Sequence, residues 1–144
     1  MDTLQTSLRK GILNGLSITL TMVKVIVPCY IIIEFIKYLG IIDTISKFFE
    51  PFMGLLGLPG EAALGLIAGY LINLYAAIAV LTPLQLSTKD ITVMALILGI
   101  CHSLTVETPV TQKTGVNAWA LLFARIFFSL VAGGLLNILW KLFS

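Results

Sequence analysis

Between residues 99 and 115 the sequence reads GICHSLTVETPVTQKTG. This stretch gathers the groups of the chain best suited to proton transfer or ligand binding: Cys101, the single histidine His102, Ser103, Glu107, Thr108 and Lys113. Imidazole beside carboxylate is a proton-handling pair near neutral pH. The spacing limits what else it can be. His102 and Glu107 are five apart, so an unbroken helix would not put them on one face. Only Cys101 offers a third donor nearby, so no metal site is expected. Ser103 adjoins His102, and neighbours on a helix diverge. No nucleophile-elbow pattern surrounds them. The sequence therefore predicts no enzyme and no cofactor. Two readings stay open for the segment. It is a solvated loop, or it is a polar break inside a membrane helix. Thr108 can cap and Pro109 suits a first helical position, which predicts a helix starting there. Such a start would aim free N–H groups and a positive dipole end into the bilayer.

The chain around it decides what can hold such a segment. Of 144 residues, 58% are hydrophobic and 11% charged, against about 25% charged in a soluble domain. Too few charges remain to cover a water-soluble surface, so the composition identifies an integral membrane protein. The net charge of +2 is scattered, which excludes a nucleic-acid patch. Cys29 and Cys101 match no metal or redox spacing and read as buried free thiols. Arg9 and Lys10 before an apolar run look weakly like a leader. No small-residue cleavage site follows, so an uncleaved first span is expected.

A helix needs about 20 apolar residues to cross the hydrocarbon core. Four stretches qualify as candidates: Leu16 to Tyr38, Glu61 to Leu81, Ile91 to about Leu104, and Val116 to Phe143. The third is short and crosses only with help from TVETPV, or is half a helix. Residues 1–14 carry Leu4, Leu8 and Ile12 at four-residue spacing and predict an amphipathic interfacial helix. Residues 41–53 predict another, ended near Pro51. Period-two alternation is absent, which excludes a β-barrel. The expected fold is all-α: a single polytopic helical domain of about four spans, with a broken or re-entrant segment near 100–115 and short interfacial helices.

Other polar residues lie inside these spans. Gly65, Gly69, Asn73 and Ala77 recur every fourth position, as in close helix packing, with Asn73 placed to hydrogen-bond across the contact or to meet a solute. In the fourth span Arg125, Ser129, Gly133, Asn137 and Lys141 form a similar row. Arg125 is expensive there, at about 2.5 to 3.5 kcal/mol on insertion scales. It must find an anion, and Glu34 and Glu107 are the candidates; a structural ion pair of Arg125 with Glu34 is expected. Lys24 and Pro28 interrupt the first span, Lys24 as a snorkelling cation.

The stretches LPGEAALGLIAGYLINLYAAIAVL and CHSLTVETPVTQKTG resemble the nucleoside-recognition, or Gate, domain family over about residues 20–140. Related domains occur in ferrous-iron transporter B, concentrative nucleoside transporters and spore maturation proteins A and B. The resemblance implies an all-helical permeation or gating unit in a bacterial-type inner membrane, passing a small polar solute such as a nucleoside or ion. It implies Asn73, Tyr75, His102, Ser103, Glu107 and Thr108 as solute-contacting residues. A single copy implies a homodimer, or a partner with a similar domain. With four crossings, Arg9, Lys10, Lys89 and Lys141 fall on one side and Lys37, Lys47 and Lys113 on the other. That near-balance permits an antiparallel dimer. A non-transporting membrane subunit that packs against a partner protein is the alternative expectation.

Overall fold

The computed structural model describes residues 4–143, and among them every regular element is an α-helix. In chain order these are α1 (Leu4–Tyr38), α2 (Ile41–Leu55), α3 (Ala62–Leu71), α4 (Leu74–Leu81), α5 (Thr88–Ile100), α6 (Leu104–Gln112) and α7 (Ala118–Phe143). Three stretches are long and apolar enough to cross a membrane: α1, the Thr88–Gln112 stretch and α7. The all-α membrane architecture matches the expectation from composition.

Its details differ in four places. First, the described part of residues 1–14 is no separate helix. From Leu4 it is continuous with the first span, and α1 runs 35 residues, about 52 Å at 1.5 Å per residue. Second, α2 does not end at Pro51. It continues to Leu55 and closes through Leu56 N–H bonding to the Met53 carbonyl.

The third difference is the largest. The stretch from Glu61 to Leu81 is not one span. Helix α3 stops at Leu71, Asn73 is fully extended, and α4 begins at Leu74. A Cβ on Gly65 would strike Leu81, and one on Gly69 would touch Ala77. As one number rises the other falls equally, so α3 and α4 run antiparallel as a hairpin. At about 15 Å and 12 Å, neither arm crosses a core about 30 Å thick. The reason for the turn is Asn73. Its side chain accepts from Ala76 N–H at 2.8 Å and caps α4, a role asparagine favours over the helix interior. The four-residue stripe of small residues is thus folded back on itself rather than presented on one helix face.

Fourth, the second interruption falls earlier than Thr108. Helix α5 ends at Ile100, Cys101 is extended, and Ser103 takes left-handed φ 51 before α6 starts at Leu104. Thr108 and Pro109 lie inside α6. Leu104 and Thr105 stand in the first-turn positions where a proline is tolerated, so Pro109 starts nothing here.

Helices α5 and α6 both pack along α7. A Cβ on Gly133 would meet Ile97, while Arg125 reaches the Ile100 carbonyl and Glu107. The buried side of α7 is the row Ser129, Gly133 and Asn137. The core joins Met53, Leu58, Ala62, Leu66, Ala77, Val93, Met94 and Ile97 from α2 to α5. A second cluster, with Ile33, Ile42, Ala68, Ala76 and Val80, seats the hairpin on α1. Ser87 and Asp90 start α5 with a reciprocal capping box.

Candidate functional site

The two interruptions meet. Ser103 N–H donates to the Gly69 carbonyl at 2.8 Å, and the Thr105 hydroxyl donates to the Leu71 carbonyl at 2.6 Å. The Ser103 N–H and the Thr105 hydroxyl at the start of α6 thus satisfy two carbonyls at the end of α3. On the other strand of the break, His102 Nδ1 lies 2.9 Å from the Leu98 carbonyl. A carbonyl only accepts, so Nδ1 carries the proton. Arg125 Nη2 is 3.4 Å from the Ile100 carbonyl. Behind this layer Tyr70 shares a 2.9 Å hydrogen bond with the buried Ser129 hydroxyl, which itself donates to the Ile126 carbonyl. Cys101 is fully buried beside them.

Glu107 is the centre of the charged part. It sits in the first turn of α6, where the helix dipole favours an anion. Arg125 donates to its Oε2. His102 Nε2 stands 3.8 Å from its Oε1, too far for a direct hydrogen bond. A neutral His102 turns a lone pair towards that carboxylate, and a protonated one turns an N–H. The unwound turn is what lets residues five apart share one face. The side chains of Arg125, His102 and Glu107 keep 25%, 33% and 34% exposure. The group is thus fastened on one side and open on the other.

The expected pair of Arg125 with Glu34 does not form. Glu34 lies 3.8 Å from Lys37, one turn away on the same helix, and Arg125 takes Glu107 instead. Helix α7 packs on α5 and α6, which makes Glu107 the carboxylate within its reach.

The structure divides the solute-contacting candidates. His102, Ser103 and Glu107 come together, and Thr108 lines the narrow gap between α6 and α7 with Glu107 and Arg125. Asn73 and Tyr75 line a different space. That cleft, about 350 Å³, lies between the hairpin turn and the Ile18, Thr21, Met22 and Val25 face of α1. Among the described residues no three of His, Cys, Asp and Glu are grouped as a metal would need. Thr105, Tyr70 and Ser129 were not expected at the site. Tyr70 and Ser129 are 59 positions apart, and no local pattern links them. Thr105 sits in the conspicuous HSLTVE stretch, but its hydroxyl has a partner only because α3 ends beside it.

Ser103 stores backbone strain. A non-glycine residue in the left-handed region costs about 1 to 2 kcal/mol. Ser103→Gly is therefore expected to raise the thermal unfolding midpoint of the detergent-solubilised protein. A lowered midpoint would mean that the hydroxyl makes a contact worth more than the strain.

Comparison with known proteins places these features. Residues 19–116 match the family Gate, described as nucleoside recognition. Membrane protein YvoD of Bacillus subtilis (strain 168) is 35% identical over 130 residues, which cover 90% of this chain and 42% of that protein. Inner membrane protein YjiG of Escherichia coli (strain K12) is 35% identical over 89 residues, 58% of each. The chain thus spans about half the length of the relatives it matches. No solved structure matches it.

Proposed function

The chain belongs to the Gate, or nucleoside-recognition, family of membrane proteins, and on that premise we propose that it is a transport or gating unit for a small polar solute. It is an integral membrane protein, with the bacterial inner membrane as its location. The observation that carries the transport reading is the meeting of two helix interruptions at one depth. Interrupted helices at the midplane are how secondary transporters expose backbone and charge to a solute. Here the end of α3 meets the break at Cys101–Ser103, beside a charged group that is open on one side. Glu107 is the solute-facing anion, Arg125 holds it in place, and the His102 ring faces it across 3.8 Å. Flux through the purified protein in liposomes, compared with Glu107→Gln, is the test.

We further read the topology as three crossings and one re-entrant hairpin. The crossings are α1, α5 with α6, and α7, with α3 and α4 entering and leaving on one side. Arg9, Lys10 and Lys113 then lie on one side, three in all. Lys37, Lys47, Lys89 and Lys141 lie on the other, four in all. This moves Lys89, Lys113 and Lys141 to the opposite side from a four-crossing arrangement but keeps the near-balance. The positive-inside rule hardly chooses an orientation, which favours a dimer of oppositely inserted copies, each covering the open side of the other's charged group. Reporters fused after residue 144 and active on opposite membrane sides should both give signal. A signal from one side alone eliminates the antiparallel form. The non-transporting alternative predicts no flux and no ligand-dependent stabilisation in the same liposome preparations.

A further inference from the structure

We propose that the bare face of α5 beside the charged group is the contact between two copies of this chain, and that each copy completes the other's site. The proposal rests on the dimer reading above and deepens it by naming the surface.

The starting point is what α5 leaves uncovered. The helix packs on α3 and α7. Val93 and Ile97 turn towards Gly133 of α7, and Leu98 turns towards Gly69 of α3. The remaining side carries Thr88, Thr92, Ala95 and Gly99, three or four residues apart and so on one face. Thr88, Ala95 and Gly99 are exposed, and a Cβ on Gly99 would meet nothing within 4 Å. The Thr92 hydroxyl donates to the Thr88 carbonyl at 2.7 Å. The row is thus small and polar-satisfied, the composition that lets helix backbones come close in a membrane.

Small residues alone would suit lipid equally well. The end of the row does not. Arg125 reaches the carbonyl of Ile100, the neighbour of Gly99. His102 hangs from the last turn of α5 through the Leu98 carbonyl. With Glu107 these side chains stay a quarter to a third exposed, on two of the stretches long and apolar enough to cross the membrane. Ionisable groups there require protein or water around them, not hydrocarbon.

The charged group is also self-complementary, which selects a second copy as the cover. Arg125 and Glu107 stand side by side. A half-turn about an axis beside them sets the carboxylate of one copy towards the guanidinium of the other, the condition for an isologous contact. An unrelated partner would have to supply both signs in the matching order. For oppositely inserted copies the axis lies in the membrane plane, at the level of Gly99, where the open backbone admits the approach. The site then holds one Glu107 and one Arg125 from each copy, with the solute between them.

The test uses the full chain in native membranes, with Cys29→Ser as background and Cys101 left in place, fully buried. Single cysteines are introduced at Gly99, at Thr88 and at Val131, an exposed position about 200° round α7 from Gly133, and an oxidant is added. Expected is a disulfide-linked dimer with Gly99→Cys and none with Thr88→Cys, Val131→Cys or the background. Thr88 lies about 16 Å from Gly99 along α5. In oppositely inserted copies the two Thr88 positions are therefore about 33 Å apart, beyond disulfide reach. Gly99→Leu fills open space within one chain, so the unfolding midpoint in detergent should hold while the dimer dissociation constant rises about tenfold or more. Glu107→Gln with Arg125→Gln, neutral in each chain, should weaken the dimer comparably. Cross-linking at Thr88 as well as Gly99 supports the surface and sinks the opposite insertion instead. Cross-linking at Val131 with Gly99 silent leaves a dimer on another face and overturns the proposal. Silence at all three positions, which leaves the row to lipid, overturns it too. So does a dimer unchanged in both Gly99→Leu and the neutral double variant.

Discussion

Glu107→Gln is expected to cut solute flux by about a hundredfold or more while the protein still inserts and folds. Each 1.4 kcal/mol is a factor of ten, so a hundredfold loss of flux corresponds to about 3 kcal/mol of lost interaction along the solute path. Glutamine keeps the shape of Glu107 and an oxygen that accepts from Arg125. Arg125 also retains the Ile100 carbonyl. The fold is therefore spared more than the function. Glutamine carries no negative charge towards His102 or the open side, so the chemistry facing that side is lost. Flux in liposomes and unfolding in detergent, measured on one preparation, separate the two effects. Full flux in Glu107→Gln would remove Glu107 from the solute path. Should the single variant unfold, the double variant Glu107→Gln with Arg125→Gln removes both charges, restores neutrality, and must fold without transporting.

The second large effect concerns stability. Gly60→Ala is expected to cost about 3 kcal/mol, at the upper end of overpacking penalties. A Cβ there would lie 2.0 Å from the Ser46 carbonyl oxygen and 2.7 Å from its carbon. Both are backbone atoms of α2, and no side-chain rotation relieves the clash. Helix α2 passes over the turn that opens the hairpin, so the hairpin base must shift as a whole. Gly134→Ala is the control. Nothing lies within 4 Å of its added methyl group, and its midpoint should stay close to wild type. Equal midpoints for the two variants would show that α2 does not cross the hairpin base as described.

The membrane class and the helical content were legible because composition and hydrophobic run length carry them directly. The hairpin was not. LPGEAALGLIAGYLINLYAAIAVL has the length and apolarity of a span, and hydropathy cannot separate one 20-residue helix from two antiparallel halves. The informative residue was Asn73, whose capping chemistry outweighs its place in a regular small-residue stripe. Thr108–Pro109 misled for the opposite reason. A threonine before a proline is a sound start signal, but the backbone had already re-entered a helix at Leu104, where Ser103 gains the Gly69 carbonyl. The partner of Arg125 was open in the sequence because both carboxylates were eligible, and only the packing of α7 on α6 decides for Glu107.

An odd number of crossings, as proposed above, would have a consequence for ancestry. A unit that starts on one side of the membrane and finishes on the other, if duplicated head to tail with a short linker, begins its second copy where the first ended. Gene duplication alone would then produce an upside-down twin in the same polypeptide, with no change to either copy's fold. The Bacillus relative, of which the matched segment is 42%, is long enough to hold two such units.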